Sequence, residues 1–136
     1  MRYANQRYDH IQQLLDFGFA KRYEVMETTE RIGSRGYFSP DVLRSDQRIR
    51  HDPRTGDMWA CGVVLFAMLT KELPFMDDLL EDPKSELWTS EDKTLFWSHY
   101  AVELTETARN LLEGLMEFDA SKRLTAEQAL AHKFFT

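Results

Sequence analysis

Asp16-Phe17-Gly18 sets a carboxylate just before a glycine, after the apolar stretch Ile11-Gln12-Gln13-Leu14-Leu15. A carboxylate is a natural ligand for a hard cation, which prefers oxygen. The same tripeptide also reads as a plain turn with Gly18 at positive φ. Further on, Gly33-Ser34-Arg35-Gly36-Tyr37-Phe38-Ser39-Pro40-Asp41 combines hydroxyls, glycines and charges at close spacing. Thr28, Thr29 and Ser34 are candidate phosphorylation sites, with Lys21 and Arg22 as nearby basic side chains. A phosphate orders a loop only where cationic groups receive it, so a polar loop without regulation is the competing reading. Asp57 and Arg123 each open a further motif, Asp57-Met58-Trp59-Ala60-Cys61-Gly62 and Arg123-Leu124-Thr125-Ala126-Glu127. His10, His51, His99 and His132 have no metal-ligand spacing among themselves or with Cys61, and read as surface or packing residues.

The elements that position these residues follow from periodicity and punctuation. Residues 11–15 read as a short strand leading into Asp16. Residues 16–41, with Gly18, Gly33, Gly36 and Pro40, read as a long ordered loop, and loops of that length in compact domains are usually functional. Residues 44–56, with Pro53 and Gly56, read as a second loop. Asp57 stands at an N-cap position, and Met58 to Thr70 is apolar on every face. Such a helix belongs at the centre of a domain, and Leu73-Pro74-Phe75 ends it. A helix is expected near 91–100. Another is expected over 106–117, with Ala108, Leu111, Leu112, Leu115 and Met116 on one face. A last helix starts at Thr125, with Gln128 completing a capping box and Ala126, Ala129 and Leu130 facing inward. Asp77, Asp78, Glu81 and Asp82 read as a solvated face, and Trp88 and Trp97 as packing residues.

Length and composition bound the rest. A chain of 136 residues with 43% hydrophobic and 12% aromatic residues suits one folded domain. The net charge of −6 argues against a nucleic-acid binder, which needs a basic face. The single cysteine, Cys61, provides no disulfide, favours a reducing intracellular and cytoplasmic setting, and reads as a small core residue. Met1 to Gln13 is too polar for a signal peptide. Met58 to Leu69, the longest apolar stretch, is too short to span a membrane, so no membrane partner is expected.

From about Ile11 to Phe135, the order and spacing of these motifs resemble the C-terminal lobe of a eukaryotic Ser/Thr protein kinase. Leu15-Asp16-Phe17-Gly18-Phe19-Ala20-Lys21 and Arg123-Leu124-Thr125-Ala126-Glu127-Gln128-Ala129-Leu130 are most similar to the calcium/calmodulin-dependent kinase group. The resemblance implies a mainly α fold, a partial kinase C-lobe with a short N-terminal strand and a long activation segment at 16–41. It implies ATP γ-phosphoryl transfer to protein hydroxyls in the parent family, with Asp16 as the Mg²⁺ ligand and Phe17 and Gly18 beside the nucleotide. Ser34 would help select the acceptor, and Arg35, Gly36 and Tyr37 would line the substrate groove. Asp41 replaces the family's glutamate opposite Arg123, one methylene shorter, which implies a single-point or shifted ion pair. Asp57 would anchor a catalytic loop. The family's glycine-rich loop, ATP-binding lysine, catalytic aspartate and metal-binding asparagine have no counterpart in these residues. The expectation is a chain that begins just past the catalytic loop, inactive alone, with negligible affinity for ATP and Mg²⁺. An uncovered face of the central helix would mark a partner surface. Its partners would be protein substrates or the complementary half of a kinase. A non-catalytic interaction module and an incomplete gene product are the alternatives.

Overall fold

The computed structural model describes residues 15–22, 27–45, 49–76 and 79–135. Among them the order is a 3₁₀ turn (Arg35–Tyr37) followed by six helices. These are α1 (Pro40–Arg44), α2 (Pro53–Thr70), α3 (Lys84–Thr89), α4 (Thr94–Trp97), α5 (Glu106–Leu115) and α6 (Ala126–Leu130). The fold is mainly α, as expected. The strand expected over 11–15 falls outside the described residues apart from Leu15, which is exposed and in no strand. His10, Asp77 and Asp78 also lie outside them. Among the described residues, the one pairing of extended backbone is an isolated antiparallel bridge between Thr28 and His51.

Helix α2 starts earlier than its sequence suggests. Asp52, not Asp57, is the N-cap, and its carboxylate accepts the Arg54 N–H at 2.9 Å. Pro53 occupies the first helical position, where its fixed φ fits and its missing N–H costs nothing. Of the stretch read as a loop over 44–56, residues 53–56 are therefore the first turn of α2, and Arg44 closes α1. The helix stops at Thr70, where Lys71 takes a left-handed conformation (φ 67°) and donates back to the Ala67 carbonyl at 2.9 Å.

One side of α2 carries the core. Trp59, Val63 and Phe66 are buried against Leu112 and Met116 of the α5 region and the rings of Phe75, Trp88, Phe96, Trp97 and Tyr100. The rings meet largely edge-on, with centroids 4.6 Å apart for Trp88–Phe96 and 4.8 Å for Phe66–Tyr100, the arrangement aromatic quadrupoles favour. Trp88 and Trp97 are packing residues whose indole N–H groups donate to the Met116 carbonyl and the Glu113 carboxylate. The other side of α2 is not central. Cys61, Val64 and Met68 are exposed, so Cys61 is not a core residue.

The predicted inner face of α5 is buried in full: Ala108, Leu111, Leu112, Leu115 and Met116. The capping box of α6 also forms, Thr125 with Gln128. Only Ala129 of that short helix points inward, since Leu130 is 73% exposed. Asp82 is not a solvated charge. It is buried and accepts the Met76 and Lys84 N–H groups at 2.6 and 2.8 Å, holding the loop ahead of α3.

Helices α2 and α5 touch where a side chain is missing. A Cβ on Gly62 would sit 2.6 Å from Met116 Cγ and 3.0 Å from Leu115 Cβ. In an open helix Gly→Ala stabilises by about 0.5–1 kcal/mol. At Gly62 the sign reverses: Gly62→Ala is expected to cost about 1–3 kcal/mol through overpacking. Gly56→Ala, whose Cβ would meet Val42 at an ordinary 3.4 Å, is expected to be near neutral. Urea unfolding of the two variants reads the difference.

Candidate functional site

Asp16 begins the segment in a left-handed conformation (φ 62°), and its Oδ1 accepts the Gly18 N–H at 3.2 Å. The turn closes as Ala20 N–H donates to the Phe17 carbonyl at 3.0 Å. The positive φ falls on Asp16 rather than on Gly18, because the short carboxylate bonds its own backbone and tolerates that region. Asp16, Phe17 and Gly18 are all exposed. Lys21 forms an ion pair with Glu30 across the segment.

Thr28 and His51 exchange both backbone hydrogen bonds, at 2.8 and 2.9 Å. Arg31 donates to the carbonyl of the buried Ser45. Together these tie residues 27–31 to the chain that leads into α2. Thr28 and Thr29 are half-buried and share a groove of about 490 Å³ with Lys21, Arg22, Arg50 and Asp57. Arg50 is a basic neighbour that sequence order, which pointed to Lys21 and Arg22, did not reveal.

Gly33 takes φ 129°, a conformation L side chains rarely adopt, and a Cβ there would press within 3.2 Å of the Phe38 ring. It feeds the turn Ser34–Phe38, closed by Tyr37 N–H to the Ser34 carbonyl and Phe38 N–H to the Arg35 carbonyl, both at 3.0 Å. Ser34 and Arg35 are exposed and Tyr37 is 40% exposed, while Gly36 lies beside Leu73 just past α2. Residues 16–41 are thus not loop throughout: a 3₁₀ turn lies within them and α1 begins at Pro40.

Asp41 and Arg123 come together from opposite ends of the chain. The Arg123 side chain has no exposure, that of Asp41 has 19%, and Nη2 donates to Oδ1 at 2.8 Å. The contact is single-point. Two further donors go to backbone, Nη1 to the Thr55 carbonyl and Nε to the Glu117 carbonyl, each at 2.8 Å. The guanidinium lies 5.3 Å from the Trp59 ring centre, a cation–π contact. Asp57 is on the second turn of α2, so it caps nothing. Burial, and then the Asp52 carboxylate, push its pKa up.

The sequence profile of the protein kinase domain matches residues 4–135. The chain belongs to the protein kinase family. It is 35% identical over 132 residues to the liver/testis phosphorylase b kinase gamma catalytic chain of Mus musculus, covering 93% of this chain and 32% of that one. The human form of that protein gives the same identity and the same coverage. Testis-specific serine/threonine-protein kinase 3 of Mus musculus is 38% identical over 125 residues, covering 88% of this chain and 43% of that kinase. The chain therefore spans from about a third to under half of the length of these relatives.

Protein kinases use ATP and Mg²⁺. Asp16, exposed and with a free carboxylate oxygen, fits the part of one ligand. Among the described residues no three His, Cys, Asp or Glu side chains converge on a metal position, so the rest of such a site is not built from them. No helix among the described residues is long and apolar enough to cross a membrane.

The buried ion pair makes a sharp test. Asp41→Ala leaves a buried cation short of its counter-charge and is expected to cost about 3 kcal/mol or more. Adding Arg123→Met to Asp41→Ala should restore part of that, giving a coupling of about 1–3 kcal/mol in a double-mutant cycle by urea unfolding. Additive single effects would show that the two charges do not interact.

Proposed function

We propose that these residues serve a Ser/Thr protein kinase, one of the calcium/calmodulin-dependent group, as the lobe that presents the hydroxyl acceptor. The observation that carries this reading is the fixing of the turn at 33–38 by the buried Arg123–Asp41 pair directly after it. Phosphoryl transfer is mostly positioning and charge stabilisation, so an exposed turn on a rigid mount is what an acceptor platform needs. We assign Ser34 to acceptor selection and Arg35, Gly36 and Tyr37 to the groove wall. Asp16, with Phe17 and Gly18, takes the metal-facing position, where Mg²⁺ when bound neutralises phosphate charge. Thr28, Thr29 and Ser34 are proposed phosphorylation sites. The group assignment rests on Leu15 to Lys21 and Arg123 to Leu130. The setting, intracellular and cytoplasmic, rests on the single cysteine.

We take residues 1–136 as a partial kinase domain whose substrates are proteins. By themselves these residues supply no glycine-rich loop, no ATP-binding lysine and no catalytic aspartate. Phosphoryl transfer by the 136-residue chain is accordingly expected to be nil, and ATP affinity negligible.

A chimera tests the reading. Residues 15–135 replace the matching stretch of the mouse phosphorylase b kinase gamma catalytic chain. Phosphorylation of Ser/Thr peptides dependent on Mg·ATP is expected, falling at least about a hundredfold in Asp16→Ala. A folded chimera without activity overturns the proposal. A Mg·ATP-dependent signal from the 136-residue chain alone, abolished by Asp16→Ala, would overturn the expectation of inactivity.

A second reading is favoured by the exposed stripe of α2. Cys61, Val64 and Met68 recur at helical spacing on one face, with Val64 46% and Met68 61% exposed. Such a face suits a non-catalytic interaction module that docks a partner protein.

A further inference from the structure

His51 is the residue through which the segment 27–31 pairs with the body of the fold. Its N–H and C=O are both committed to Thr28, at 2.9 and 2.8 Å. Its ring is 6% exposed, and Nδ1 is buried with no hydrogen-bond partner. A buried imidazole with an unpaired nitrogen tolerates the neutral state better than the charged one.

Three charged groups act electrostatically on the ring. Asp41 comes from α1, Asp52 from the N-cap of α2 and Arg31 from the segment itself. Both carboxylates are already engaged. Asp41 accepts from Arg123 at 2.8 Å, and Asp52 accepts the Arg54 backbone N–H and guanidinium at 2.8–3.2 Å. Arg31, fixed on Ser45, adds a repelling positive charge. A proton arriving on His51 therefore meets burial and a cation, with two carboxylates already in use.

We propose that His51 is a pH-sensitive clasp: as the neutral ring it holds the segment through the Thr28 bridge, and when protonated it lets the bridge open. A buried imidazolium favours conformations that bring residue 51 to water, and those that shift its backbone release Thr28. Opening frees the stretch that carries Thr28 and Thr29 and leaves the helical body in place. The clasp acts on the chain whether or not it transfers phosphate.

The direction of the pH dependence follows. Burial holds the His51 pKa below its ordinary 6.5, with Asp41 and Asp52 opposing and Arg31 adding to the depression. A group with a depressed folded value on a base stabilises the closed form above its ordinary pKa. That stability is lost as the pH falls below about 6.5, by at most about tenfold per pH unit.

The test is residue-resolved amide exchange on the 136-residue chain, corrected for the intrinsic pH dependence of exchange. Protection of the Thr28 and His51 amides is expected to fall as the pH drops from about 7.5 to 5.5, while the Leu112 amide in α5 holds. His51→Gln should remove the dependence, and His99→Gln, at an exposed histidine, should keep it. Flat protection in the unsubstituted chain, the same loss in His51→Gln, or a parallel fall at Leu112 overturns the clasp. Should His51→Gln fail to fold, the ring titration of the unsubstituted chain decides. A His51 midpoint that coincides with the loss at Thr28 supports the proposal, and separate midpoints overturn it.

Discussion

A guanidinium with no solvent exposure needs donors matched in every direction, and Arg123 meets that need by joining three parts of the chain. It binds α1 through Asp41, the first turn of α2 through the Thr55 carbonyl, and the loop just after α5 through the Glu117 carbonyl. Trp59 supplies its ring on a further side. Each contact depends on the others, because in a low-dielectric setting an unpaired donor of a buried cation is costly. Arg123, from near the other end of the molecule, anchors α1 after the turn at 33–38, together with Thr55, whose hydroxyl donates to Asp41 Oδ2 at 3.4 Å, and the buried Val42.

Close packing provides the second constraint. Arg123 can reach α2 and α5 together only because those helices approach each other and their following loop without intervening bulk. Gly62 admits Met116 and Leu115, and Gly114 admits Leu124, whose Cδ1 would stand 2.5 Å from any added Cβ. Leu124 N–H also donates to the Gly114 carbonyl at 3.0 Å, which sets the residue next to Arg123 against α5. The aromatic rings then fill the rest of the space on that same core side of α2. Rigid rings suit short helices such as α3 and α4, each of which contributes little backbone but a large buried tryptophan.

What could be read from sequence follows from this arrangement. The face of α5 and the cap of α6 are local patterns, and both stand as read. The start of α2 was misplaced because Pro53 and Gly56 look like loop punctuation, whereas proline at the first helical position behind Asp52 is favourable. Helix α3 is too short to show a period, and the helix expected near 91–100 is present as the single turn of α4. Cys61 and Leu130 lie in apolar stretches, yet face outward, because periodicity cannot say which side of a helix finds a neighbour. In the site, the motif residues were visible by type and spacing. The carbonyl partners of Arg123, the neighbourhood of Arg50 and the role of His51 were not, since they arise from backbone positions and tertiary proximity that leave no residue-type signal.

The molecule thus divides into two regimes. From α1 onward, rings and a buried cation hold the helices. Before α1, residues 15–37 have no buried side chain among those described, and the bridge at Thr28, the Arg31 bond to Ser45 and the turn beside Leu73 tie them to the body. A segment without buried side chains among those described sits near the low end of local stability, where a single charge change can shift its population. The distribution has a functional logic. The turn at 33–38 is next to the rigid mount, whereas Thr28, Thr29 and Asp16 lie progressively further from it. A modification or a partner acting on the outer part can therefore change its order without disturbing the helical core. On the proposed function, selection of an acceptor and regulation of the segment that carries it would then reside within one stretch of chain.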